Sequence, residues 1–146
     1  MATIKEDYVS FETAKLLKEK GFDKYPIFPC YKDDGSKLFI DIPTTLDTIN
    51  YHFIPAPTLQ MAMKWLREVH NIDIVIDAAV GILGVKVYVP FISTYKPLKD
   101  EPSKVHQIKR GICYKDDKGI ISALQQFESY EEAIEAAIRY CLENLI

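Results

Sequence analysis

Apolar side chains recur at helical spacing in three stretches of the chain and alternate with polar ones in several others. Phe11, Ala14 and Leu17, with Leu16 beside them, share one face of a 3.6-residue period and predict a first helix. Ser10 can cap its free N–H groups. Gly21 can close it in the left-handed conformation, with Phe22 folding back on the last turn. Ile27 to Tyr31 and Lys37 to Asp41 then read as short strands. Pro29 places the first of them at a sheet edge, because proline donates nothing to a ladder. Residues 42–56, with Pro43 and Pro55, read as irregular.

The stretch from Pro57 to His70 carries the clearest helical pattern. Pro57 suits the first helical position. At about 100° per residue its apolar side chains cover roughly 200°, centred on Leu59, Met63 and Leu66. Gln60, Lys64 and Arg67 hold the wet side. So wide an arc predicts burial on more than one flank, against a sheet and a second helix or subunit. Met61 and Trp65, at its margin, are the candidate oligomer contacts.

Asn71 can end this helix. Ile72, Ile74 and Ile76 alternate with Asp73, Val75 and Asp77 as in a strand. After a turn at Gly81–Gly84, Val85, Val87, Val89 and Phe91 alternate with Lys86, Tyr88 and Pro90. Residues 93–103 read as a polar, proline-bearing loop, and 105–114 with 120–126 as a last hairpin. The final helix opens with Ser129 and Glu132 at capping-box spacing. It buries Ala133, Ile134, Ala137, Ile138, Cys141, Leu142 and Leu145, and turns Glu131, Glu135, Arg139 and Glu143 to water. The expected fold is a single α+β domain over residues 1–146. A mainly antiparallel sheet built from hairpins carries three helices on one face, in the order α-β-β-α-β-β-β-β-α.

The pentapeptide CYKDD occurs twice, at 30–34 and 113–117. SFETA at 10–14 likewise resembles SYEEA at 129–133, but the two motifs come in reversed order, which argues against tandem duplication. Neither copy supplies the alternating ligands, sixth-position glycine and twelfth-position glutamate of a calcium loop together. Asp34-Gly35 instead predicts a tight two-residue turn, and Asp117-Lys118-Gly119 a three-residue loop with glycine left-handed. The repeat is turn chemistry used twice.

The formal net charge of −3 over 146 residues gives no long-range pull toward nucleic acid or an anionic membrane. Three cysteines without metal or CxxC spacing predict reduced thiols. The first residues lack an apolar signal core, and no apolar run approaches the ~20 residues of a membrane span. A cytoplasmic protein that does not enter membranes is expected.

Candidate chemistry is sparse. His52, His70 and His106 are isolated, and nothing marks Cys30 or Cys113 as activated nucleophiles. His70, in the last turn of its helix, could hold a proton against the helix dipole. Gly81 and Gly84 bracket Ile82-Leu83, too apolar to cradle phosphate. Asp73 and Asp77 share a strand face and read as solvated. No catalytic residue, metal or cofactor is assigned. Two features could bind a partner: the basic stretch Lys104, Lys109 and Arg110 followed by Tyr114, and the strand tyrosines, Tyr88 among them.

Three segments, YVSFETAKLLKEKGF at 8–22, APTLQMAMKWLREVHNIDI at 56–74 and SYEEAIEAAIRYCLENLI at 129–146, resemble a group of small uncharacterised bacteriophage and prophage proteins of gut bacteria. The resemblance implies a bacterial cytoplasm and an accessory genetic element, and imports no activity. The sparse catalytic chemistry and the wide apolar arc of the 57–70 helix make the expected function a non-enzymatic protein-binding or adaptor module with an unidentified protein partner, acting as a homo-oligomer. The alternatives are a small nucleic-acid-binding protein using the strand at 104–114, and an enzyme of unrecognised type.

Overall fold

The elements run α1 (Phe11–Glu19), β1 (Cys30–Lys32), β2 (Lys37–Leu38), β3 (Phe53–Pro55), α2 (Leu59–His70), β4 (Ile72–Val80), β5 (Lys86–Pro97), β6 (Val105–Gly111), β7 (Cys113–Lys115), β8 (Ile121–Leu124) and α3 (Tyr130–Asn144). This is a computed structural model, and it describes residues 4–22, 30–32, 34–38, 53–115, 117–118 and 121–146. The α+β class and, among the described residues, the three helices and the antiparallel hairpins are as expected. Among the described residues the strands, however, form three sheets, ordered β2-β1-β3, β4-β5-β6 and β7-β8, rather than one.

Local chemistry sets the helix ends. Ser10 Oγ accepts from Thr13 N at 3.3 Å, and Ser129 Oγ from Glu132 N at 3.1 Å. Past α1, Gly21 N–H bonds Lys18 O and Phe22 N–H bonds Leu17 O, with Gly21 at φ 91°. That paired closure needs a left-handed residue, and glycine supplies it without a Cβ clash. Asn71 ends α2 in the same region, at φ 55°. Pro57 is not the first helical residue: it lies buried ahead of Thr58, whose Oγ1 caps Met61 N at 3.2 Å.

Strand placement differs from the sequence reading in four places. β1 is a central strand, because Phe53–Pro55, within the stretch read as irregular, pairs with its second side. Pro29, which suggested an edge, lies outside the described residues. β5 continues through Ser93 and Thr94, which pair with both β4 and β6, to Tyr95–Pro97, which pair with β6 alone. The segment from 105 to 114 is broken at Ile112, which is buried. Its first part pairs with β5 and its second with β8. Finally, Lys32 N–H bonds Ser36 O and Gly35 N–H bonds Lys32 O, with Gly35 at φ 83°. That is a three-residue loop with a glycine bulge, not the two-residue turn expected. Asp34 tightens it by accepting from Ser36 N and Ser36 Oγ, bonds that hold its carboxyl below the usual range. The second CYKDD also leads into a hairpin, β7–β8, whose Asp116 and Gly119 lie outside the described residues.

The core is one cluster centred on α3. Ile134, Ala137, Ile138, Cys141 and Leu142 are each at most 1% exposed, and α3 packs against α1, α2, β4 and β5. α2 contributes Leu59, Ala62, Trp65 and Leu66, with Trp65 edge-on to Phe22 at 5.5 Å. Tyr31 ties β1 to the N-terminal segment by donating its hydroxyl to Val9 O at 2.6 Å. α1 faces α3 and β3, so the three helices do not cover a common sheet face.

Glu135 does not simply face water. Its Oε1 accepts from Ser10 N at 3.0 Å and also from Ser10 Oγ and Thr13 Oγ1. Thr13 is fully buried. A carboxylate on α3 therefore satisfies donors at the start of α1, where the helix dipole favours negative charge. Glu135→Ala is expected to destabilise the protein by about 1–3 kcal/mol, since it orphans partly buried donors. Glu135→Gln keeps an acceptor oxygen and should lose less. Urea unfolding followed by circular dichroism measures both.

Candidate interaction site

The β4–β5 hairpin is a long arm that the core holds at only one end. Its register runs from Ile72↔Thr94 to Val80↔Lys86. At the base, Ile72, Ile74, Ile76 and Ile92 point into the core cluster. On the other side of β5, β6 ends at Phe91↔Gly111, and an isolated bridge, Tyr88↔Phe127, takes over. Pro90 falls in the gap between these neighbours, where its missing N–H leaves no ladder bond unmade. Tyr130 supports Tyr88 edge-on at 6.0 Å, and Lys86 Nζ lies 5.2 Å from the Tyr88 ring centre.

Past that bridge the arm is two strands wide and extends a further ~17 Å, at about 3.4 Å per residue. Gly81 N–H bonds Val85 O and Gly84 N–H bonds Gly81 O, with Gly84 at φ 74°. This is the hydrogen-bond pattern of the Lys32–Ser36 turn. The loop it presents is Ile82-Leu83. Ile82 is 100% exposed and Leu83 89%, with Val80 at 75% and Val85 at 58%. Turns normally carry polar residues, so this tip is a concentrated exposed apolar patch.

A second feature is an open groove of about 850 Å³ between the N-terminal segment, α3 and the residues around Ile112 and Phe127. Asp7, Glu131, Glu132, Glu135 and Glu143 make it acidic. Two of these carboxylates are already engaged, Glu135 by Ser10 and Thr13, and Glu143 by Arg139 at 3.2 Å. No group of three or more His, Cys, Asp or Glu suited to a metal ion occurs among the described residues.

The residues singled out from the sequence are dispersed. Lys104 is ion-paired with Glu101 in the turn before β6. Lys109 lies opposite Ser93, with its Nζ 4.7 Å from the Phe91 ring centre. Arg110 lies opposite Ile92 on the other face, half-buried, with Nε lacking a hydrogen-bond partner among the described residues. Tyr114 is 51% exposed on β7, in a different sheet. Tyr88 braces the arm. Met61 is 37% exposed, whereas Trp65 is in the core at 7%. The apolar tip was present in the sequence as Gly81-Ile82-Leu83-Gly84, and the signal was the missing polar residue in a hairpin turn.

No protein-family model, curated protein or solved structure matches the chain. No helix among the described residues is long and apolar enough to cross a membrane.

Burial favours the protonated thiol at Cys141 and Cys30. Burial pushes Cys141 up to about 12, despite the opposing pull of Arg110, and burial also raises Cys30. Cys141 is expected to resist iodoacetamide in the native protein and to react after unfolding, with mass spectrometry of the peptides as the readout. His70 lies against Trp65, 4.5 Å between ring centres, with Nε2 buried and lacking a hydrogen-bond partner among the described residues. Burial lowers its pKa, so desolvation outweighs the helix dipole there. The unfolded chain protonates this histidine at about pH 6.5. The folded state holds it neutral to lower pH, so its stabilising contribution is complete above that pH and declines as pH falls through it. The melting temperature of the wild type should therefore drop further than that of His70→Phe between about pH 7.5 and about pH 5.5.

Proposed function

We propose that this chain is a non-enzymatic protein-binding module of phage or mobile-element type, and that its contact element is the β4–β5 arm. The observation that carries this reading is the full exposure of Ile82 beside Leu83 at the end of a braced hairpin. Burying a side chain of this size contributes about 1.5–3 kcal/mol. A braced ribbon also loses little conformational entropy on docking, which is how a small apolar anchor becomes a binding hot spot.

The nucleic-acid alternative has less support, because Lys109 and Arg110 alternate across their sheet and Lys104 is held by Glu101. No contiguous basic face results among the described residues.

Pull-down from a bacterial host lysate tests the arm. The wild-type chain should retain a protein that the double variant Ile82→Ser, Leu83→Ser loses. The variant should fold with stability within about 0.5 kcal/mol of wild type, as is usual for surface positions. Equal retention by both chains removes the tip from the function. A gel shift with labelled DNA or RNA at low salt should show no complex; a salt-sensitive shift would favour the basic-strand alternative instead.

A further inference from the structure

Among the described residues, the outer edge of β4 is a second surface without a partner. Tyr88 exchanges both backbone hydrogen bonds with Phe127, at 2.8 and 2.9 Å. The facing pair Ala78–Tyr88 is therefore one in which neither residue bonds the other. Bonded and unbonded pairs alternate along an antiparallel ladder. It follows that Ile72, Ile74, Ile76, Ala78 and Val80 turn their N–H and C=O groups away from β5. β4 is the end strand of its sheet, and among the described residues no backbone group bonds this outer edge. The edge is nine residues long and contains no proline, lysine or arginine, the usual devices that keep an edge from pairing.

We propose that β4 pairs antiparallel with β4 of a second copy about a two-fold axis at Ile76, joining two three-stranded sheets into one of six. This deepens the protein-binding reading, on which it rests, by naming the partner. Charge selects the register. An axis at Val75 sets Asp73 opposite Asp77 of the second copy, and an axis at Asp77 sets that residue opposite itself. Like charges directly opposed are destabilising. The axis at Ile76 faces Asp77 with Val75 and Asp73 with Ala79. It overlaps the whole strand and forms about ten inter-chain hydrogen bonds, whereas axes farther out shorten the overlap. In this register the apolar tip of each arm passes the first residue of the other copy's β4. It reaches the end of that copy's α2, where Val69 is 57% exposed.

Light scattering on the full chain at high micromolar concentration tests the proposal. The wild type should have twice the 16.8 kDa chain mass. Ala78→Pro removes an outward N–H without touching the β5 ladder, a position where strands tolerate proline. It should raise the dimer Kd at least tenfold with an unchanged circular dichroism spectrum. Should that variant fail to fold, Val75→Lys and Val75→Asp provide a second reading, because residue 75 faces Asp77 of the second copy. Lysine should tighten the dimer, and aspartate should weaken it several-fold. A wild-type chain of single-chain mass overturns the proposal, as does a dimer indifferent to both Ala78→Pro and the sign of the charge at 75. The two readings fail separately. A monomer that still retains a tip-dependent lysate protein sinks only the second copy. Equal retention of the lysate protein by wild type and by Ile82→Ser, Leu83→Ser, with a dimer that weakens in Ala78→Pro, sinks only the tip.

Discussion

One apolar stripe on α3 is the constraint on which the other layers depend. Ile134, Ile138 and Leu142, with Ala137 and Cys141 between them, meet α1, α2, β4 and β5, and each is essentially without solvent contact. Burial at about 25 cal/mol per Å² of apolar surface makes this stripe worth more than any polar contact in the fold. None of the small sheets would stand alone, because two or three short strands bury too little surface. The β4-β5-β6 sheet docks on α3, and the β2-β1-β3 sheet meets α1, which itself packs on α3. The same helix carries Glu135, so the element that provides the apolar seat for α1 also fixes its first turn.

The reach of α3 decides where the structure stops being a core and becomes a surface. The base of the β4–β5 hairpin is gripped. Its outer half continues by backbone pairing, braced at Tyr88 by Phe127 and Tyr130, with the Gln126 side chain beside Gly81. Pro90 sits at the handover between β6 and Phe127, a point where a central strand can lack a donor. Beyond it the chain places Val80, Ile82, Leu83 and Val85 in water. Nothing in folding favours apolar residues there, and the proposed contact element rests on that exposure.

Repetition of a sequence did not mean repetition of an environment. The Lys32–Ser36 turn and the Gly81–Val85 turn have the same hydrogen bonds and a left-handed glycine in the same place, although one carries Asp34 and the other Ile82-Leu83. Conversely, the two tyrosines of the CYKDD repeat diverge. Tyr31 is buried and bonded to Val9 O, while Tyr114 is half exposed. Turn geometry is set by backbone conformation over a few residues, whereas side-chain fate is set by what lies across the fold.

The helices, their caps at Ser10 and Ser129, the closures at Gly21 and Asn71 and the β4–β5 hairpin were legible in the sequence alone. Each depends on interactions within a few residues, and local spacing records those. The strand at Phe53–Pro55, the central position of β1, the extension of β5 to Pro97 and the break at Ile112 were not, because each is decided by a partner distant in the chain. The candidate site divides in the same way. Ile82 and Leu83 could be seen in a turn that lacked polar residues, but only the docking of the hairpin base on α3 shows that the turn stands clear of the core. That β4 ends its sheet, with one edge unpaired among the described residues, is a property of strand order. Hydrophobic alternation reports which face of a strand is buried, but it carries no information about which neighbour lies beside it.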